Sequence, residues 1–186
     1  MAMRNWRRFQ MLVSGRGACM KSLAIISFSI IAAAVYGVLH DQVTARICIE
    51  YFTEFHPPVF HTDSPSLLAL GWGVYATWWM GAIFGIVLAI AARAGSRQRR
   101  DASDLIWPLI SVLLTTGAVA LLAGMAAFLL AKKEMLVLSP PLSQEVLPDR
   151  QTRFIAVLCA HWASYIVGAL GGMVLVVRTW RSRRLA

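Results

Sequence analysis

Residues 154–177 read FIAVLCAHWASYIVGALGGMVLVV, twenty-four positions without one Asp, Glu, Lys or Arg. At about 1.5 Å per residue a helix of this length reaches ~36 Å, more than the ~30 Å of hydrocarbon in a bilayer. A backbone in lipid must satisfy its own hydrogen bonds, which a helix does within the segment. Three further uncharged runs share this character: Leu23–Leu39, Leu67–Ala92 and Leu105–Ala131, of 17, 26 and 27 residues. The chain therefore reads as an all-α membrane protein, a single domain over 1–186 with four transmembrane helices. Loops 40–66 and 132–153 then lie together on one side.

Charge decides which side. The lead to the first run carries Arg4, Arg7, Arg8, Arg16 and Lys21 and no acid. Arg93, Arg97, Arg99 and Arg100 follow the second run, and Arg178, Arg181, Arg183 and Arg184 follow the fourth. Thirteen of the eighteen Lys and Arg thus sit in segments that would share one face of the membrane. The positive-inside rule makes that face cytoplasmic, with both termini inside and the two loops outside. The net charge of +9 is thereby explained by topology, and no nucleic-acid partner is implied. Basic clusters at this position instead attract anionic lipid headgroups. Cys19, Cys48 and Cys159 form no framework and read as three unrelated thiols; a Cys48–Cys159 bridge is the topologically allowed alternative. The first run resembles a signal peptide, with Ala32, Ala33 and Ala34 as a cut site, but its basic lead is over twenty residues long and its apolar stretch continues to Leu39.

Helix punctuation agrees with the runs. Ser64 precedes Pro65 as an N-cap, Ser103 or Asp104 starts the third helix, and Asp149 caps the extension into the fourth. Small residues four apart mark a close-packing face on each later helix: Gly81 and Gly85, Ala120 and Gly124, Gly168 and Gly172. Packing inside the bundle is the expectation for these faces, and a homo-oligomer interface is the alternative.

His161 is the one ionisable side chain, tyrosine and cysteine apart, inside any run. It shares a helical stripe with Tyr165, Gly168 and Gly172, ~10 Å in from Phe154. An ionisable group at such depth is a functional candidate by default. Gly71, Tyr75, Trp78, Gly81 and Gly85 make a comparable stripe on the second helix. With Trp72, Trp162 and Tyr36 at similar depth, simple bundle packing is the expectation for these aromatics, and a pocket around His161 open to the outside is the alternative.

The first loop is the densest in chemical groups. Residues 40–64 hold three of the four histidines and four of the nine acids against a single cation, Arg46. Val43, Ala45, Ile47, Ile49 and Tyr51 alternate with Thr44, Arg46, Cys48 and Glu50, which predicts an extended, half-buried segment. A helical turn and a half follows from Glu50 to His56, stopped by Pro57-Pro58. The apolar side chains are expected to fold the loop down over the bundle.

The string His40-Asp41-Gln42-Val43-Thr44, with Glu50-Tyr51-Phe52-Thr53 after it, resembles the signature of a family of small, uncharacterised bacterial four-span inner-membrane proteins. The likeness covers about twenty residues and the hydropathy profile. It implies a bacterial inner-membrane location and interest in Asp41, Gln42, Thr44, Glu50, Tyr51 and Thr53. It brings no activity, substrate or cofactor.

Three chemistries suit these groups. A divalent metal would take His56, His61 and Asp63 with Glu50 or Glu54, although no compact ligand motif is present. A membrane enzyme would be centred on Asp41 and Glu50 with a histidine, but no nucleophile or oxyanion site accompanies them. A structural cap would use Asp41, Gln42 and Thr44 on loop backbone and pair Glu50 with Arg46. The leading expectation is non-enzymatic binding of a partner, lipid or small ligand at the outer face, with no catalytic residue and no obligatory cofactor. A small transporter using His161 and the loop acids is the alternative class.

Overall fold

A computed structural model describes residues 2–183, with side chains from Gly17 onward. The elements are α1 (Ala2–Ile47), α2 (Glu50–Thr53), α3 (Pro65–Arg93), α4 (Ala102–Lys132), α5 (Leu142–Glu145) and α6 (Pro148–Ser182). Among the described residues there is no strand, and four helices are long and apolar enough to cross a membrane. Their outward faces carry Leu39, Trp78, Ile90, Leu114 and Leu170, each more than 45% exposed. The innermost positions include Ala69, Ala92 and Ala120, all at 0%. Large apolar side chains outside and small ones between helices is the arrangement expected where the solvent is lipid and close packing drives association.

α1 lies along α3 and α4 along α6, and the two pairs meet more sparsely where α3 faces α6 and α1 faces α4. The small faces are occupied within the chain. A Cβ on Gly81 would stand 2.7 Å from the Ser29 carbonyl oxygen, and one on Gly124 would stand 3.2 Å from the Ala160 Cβ. Gly172 faces the Phe84 ring and Gly168 faces Thr116. The tightest crossing is Gly73 against α1, where a Cβ would fall 2.5 Å from the Val38 backbone. Gly37 meets Gly73 and Thr77 at the same point.

The segment expected to be extended is instead helical, and α1 runs on to Ile47. Its buried positions are Asp41, Thr44, Ala45 and Cys48, a spacing of three and four rather than two. No Pro or Gly interrupts residues 38–56, and Thr44 Oγ1 and Arg46 Nη1 donate to the carbonyls of His40 and Gln42 one turn back. The first connection therefore begins at Cys48, so Asp41, Gln42 and Thr44 are helix residues. The following helical turn is shorter than expected, Glu50–Thr53.

The caps also differ. Ser64 holds the extended N-cap backbone before Pro65 but makes no side-chain cap bond. α4 is capped by Asp101, with Asp104 returning a bond to the Asp101 N–H in a capping box, so neither Ser103 nor Asp104 is the cap. Asp149 lies inside the first turn of α6, after Pro148, where its charge suits the helix dipole; the N-cap is Leu147.

At the end bearing the termini, Arg183 is buried and donates to the carbonyls of Ala91, Ala94, Arg97 and Gln98. The carbonyls of Ala91 and Ala94 are orphan acceptors at the C-terminus of α3, where a cation also meets the negative end of the dipole, and those of Arg97 and Gln98 belong to the connection that follows. Gly95 turns the chain there at φ 77°, a conformation glycine adopts without a Cβ clash. Asp101 pairs with Arg93 and with Lys21 (2.6 Å), and these partners hold its carboxyl below the usual range.

Candidate functional site

The opposite end carries the site. On α1, Tyr36, His40 and Thr44 step by four along one side, and Gly37 and Asp41 along the next. On α6, Val157, His161, Ser164 and Tyr165 follow the same spacing. The Gly37–Gly73 crossing sits one turn below Asp41 and draws α1 against α3. Asp41 then meets His161: His161 Nε2 and Asp41 Oδ1 are 3.2 Å apart, with the side chains 5% and 8% exposed. Tyr36 Oη and Ser164 Oγ, 2.8 Å apart, tie the same helices one turn deeper.

The other ring nitrogen fixes the proton count. His161 Nδ1 lies 2.9 Å from the Val157 carbonyl oxygen, which only accepts, so Nδ1 carries a hydrogen and donates it. One proton is then left for the Nε2–Oδ1 contact. It is held as imidazolium against carboxylate or as neutral imidazole against carboxylic acid. Either form satisfies both groups out of water, which a buried carboxylate requires.

Aromatic rings close the site from the loop side. Tyr51 stacks on His161 with centroids 4.2 Å apart, and Phe52 meets it edge-on at 5.9 Å. His56 donates from Nδ1 to the Tyr51 carbonyl (2.8 Å) and rests on Trp72 at 4.5 Å. His40 meets His161 edge-on at 4.6 Å and stacks on Tyr36 at 5.9 Å. Inside is a cavity of about 30 Å³ lined by His40, Asp41, Tyr51, His56, Trp72 and His161, among others. His40 Nε2 is the one buried side-chain nitrogen or oxygen among the described residues without a hydrogen-bond partner.

Two larger spaces adjoin this cage. A groove of about 480 Å³ runs between α1, α4 and α6, lined by apolar side chains such as Leu39, Leu121, Met125 and Phe128. Its inner wall is Tyr36 and His40, which also wall the cage. Toward the bundle centre lies a cavity of about 130 Å³ bounded by Tyr36, Thr77, Ser164 and Tyr165. Toward the terminal end Ile25, Leu88, Leu105 and Leu175 pack together.

The structure sorts the expected residues into three groups. Asp41, Tyr51, His161 and Tyr165 come together at the cage, joined by His56. Gln42, Thr44, Glu50 and Thr53 hold the scaffold. Gln42 donates to the Ser66 carbonyl and accepts from Arg46, whose other terminal nitrogen donates to Ser66 Oγ. Glu50 pairs with Arg150 at 3.7 Å and accepts from Cys48 Sγ, so the expected Glu50–Arg46 pair is replaced. Thr53 is exposed and donates to the Ile49 carbonyl. Glu50 does not line the cage, which separates it from Asp41 as a catalytic partner.

The third group is the expected metal set, which the fold divides. His61 and Asp63 are exposed in a separate surface hollow beyond Phe52 and Trp72, and His56 faces the cage. The group of three close enough to share an ion, among the described residues, is His40, Asp41 and His161. All three cysteines are free, with Cys48 committed to Glu50. Trp72 and Tyr36 join the site, whereas Tyr75, Trp78 and Trp162 lie at the surface. His40 was legible only as a loop residue; the signal that places it is its four-residue spacing from Tyr36 once α1 is continued. No protein family, curated protein or solved structure matches this chain.

Proposed function

We propose that the chain is a non-enzymatic, multi-pass protein of the bacterial cytoplasmic membrane that binds a membrane-dissolved amphiphile from the side. Both termini are cytoplasmic and the cage lies in the outer half of the bilayer. The apolar chain of the ligand occupies the α1–α4–α6 groove, and its polar group reaches the cage wall at Tyr36 and His40. One observation carries this reading: an apolar groove of about 480 Å³ shares that wall with a buried polar cluster. Such a site matches a molecule with an apolar body and one polar end. The apolar packing of Ile25, Leu88, Leu105 and Leu175 offers no polar lining for passage across the bundle and so favours binding.

Gly117 provides the test. It lines the groove, and a Cβ there would lie 3.5 Å from Tyr36, an ordinary contact. The Cβ of Gly117→Phe is therefore accommodated, and its ring takes up space in the groove that Gly117 lines. Native mass spectrometry from mild detergent is expected to find a lipid-sized adduct on the wild type that the variant loses. A bare wild-type chain, or equal retention by the variant, defeats the reading.

The shared proton of His161 and Asp41 supports a second reading, an ion-handling protein. It predicts that His161→Ala abolishes proton-coupled flux in vesicles while the bundle stays folded. Wild-type flux in that variant removes it.

A further inference from the structure

His40, Asp41 and His161 offer two imidazole nitrogens and one carboxylate oxygen, all within 4.8 Å of one another. Their present hydrogen bonding leaves one demand unmet, because His40 Nε2 is buried and has no partner. Leaving a buried polar atom unsatisfied is costly, and each case asks for an explanation. The orientation of His161 supplies one. With Nδ1 donating to the Val157 carbonyl, its Nε2 lone pair points at Asp41. A histidine whose second nitrogen is fixed by a backbone carbonyl is the usual arrangement of a metal ligand. The single proton between Nε2 and Oδ1 occupies the place a cation would take.

We propose that His40, Asp41 and His161 bind one first-row transition-metal dication, the ion replacing the proton shared by His161 and Asp41 and supplying the missing partner of His40. The donor set selects the class, since two nitrogens and one carboxylate suit Zn²⁺ or Fe²⁺ far better than Mg²⁺ or Ca²⁺, which prefer all-oxygen shells. The spacing is close to what is required. Bonds of ~2 Å in tetrahedral geometry hold donors about 3.3 Å apart, and Asp41 Oδ1 and His161 Nε2 already stand at 3.2 Å. Only the His40 ring has to swing inward. One carboxylate offsets half of the ion's charge, which leaves the cage one positive charge above its proton-loaded state, and an anionic ligand at the open position neutralises it. A space of about 30 Å³ accepts the ion with its remaining ligand. Three protein ligands leave a position open, as in sites that meet a substrate or ligand rather than purely structural ones. The inference deepens the amphiphile reading, and rests on it only in treating the cage as the binding site.

The experiment uses the full-length protein in mild detergent, stripped with chelator and equilibrated with Zn²⁺ alone. Metal per chain is read by elemental analysis and competition titration. One zinc per wild-type chain is expected. His40→Ala, Asp41→Asn and His161→Gln should each weaken binding at least about tenfold. His61→Ala and Asp63→Asn should leave it unchanged. His40→Ala is the decisive variant, because its side chain has no hydrogen bond to lose and the bonds that tie α1 to α6 remain in place. No stoichiometric zinc on the wild type, loading untouched by His40→Ala, or loading lost with His61→Ala each overturns the assignment. Gly117→Phe is expected to keep full zinc loading, so failure of the metal site and failure of the groove are separate results.

Discussion

His56 shows how a single side chain links the loop to the site. It is half-buried, donates to the Tyr51 carbonyl, and faces Trp72, Tyr51 and the His161–Asp41 pair. Burial holds its pKa below the ordinary 6.5; nearby His161 pushes the same way, and the bond to Tyr51 and the charge of Asp41 oppose it. The sign follows. A histidine that takes up its proton more readily when unfolded stabilises the fold fully above the unfolded pKa, and that contribution is lost as pH falls below it. Thermal melts in detergent between about pH 7.5 and 5.5 should fall in the wild type and fall less steeply in His56→Gln. The difference in slope should stay below the one-proton limit of about 1.4 kcal/mol per pH unit, because solvent screens part of the ring. Equal slopes would mean that His56 does not titrate with folding. This role was hidden in the sequence for a physical reason. His56 and His61 look equivalent in a histidine-rich loop, and only the placement of Phe52 and Trp72 between them sends one to the cage and the other to the surface.

Helices were legible from apolar run length, since lipid permits few alternatives for an uncharged stretch of this size. Which faces meet was not. In water an amphipathic stripe points to the core, but here both faces are apolar, so the pattern carries little orientation. The end of α1 reads as extended for a related reason: Val43, Ala45 and Ile47 alternate by accident with polar residues whose burial follows helical spacing. Glycine was the better guide, and the decisive pair is Gly37 and Gly73. A Cβ on Gly73 would lie 2.5 Å from the Cα and N of Val38, backbone that cannot rotate away. Gly73→Ala should therefore push α1 off α3 and cost about 1–3 kcal/mol, the usual scale of overpacking. Gly17→Ala is the control, because a Cβ there meets nothing within 4 Å and the change should be neutral or slightly stabilising. Reversible unfolding in mixed detergent micelles measures both. If Gly73→Ala matches the control, the α1–α3 crossing is looser than drawn, and Asp41 is held by His161 alone.

At the scale of the whole molecule, the two ends are built for different neighbours. The terminal end concentrates the cations, and Arg183, Arg93 and Lys21 lock its connections through carbonyls and Asp101. The other end carries the cage, roofed by a connection, residues 48–64, that holds no Lys or Arg. Orientation decides which leaflet the groove opens to, and the native thiols give only half of the assay. Cys19 is exposed at the terminal end. Cys48, the obvious probe of the loop, is 2% exposed, and burial with help from Glu50 pushes its thiol up to about 12, so little thiolate forms at neutral pH. Glu54 is exposed on the same loop and replaces it as the labelling site. In Glu54→Cys, an impermeant maleimide added to intact spheroplasts should modify position 54 at once and reach Cys19 only after the membrane is opened. The opposite order would turn the molecule over. The cage would then sit in the cytoplasmic half of the bilayer, any amphiphile would enter from the inner leaflet, and the thirteen Lys and Arg that the sequence gathers in alternate segments would need an explanation other than topology.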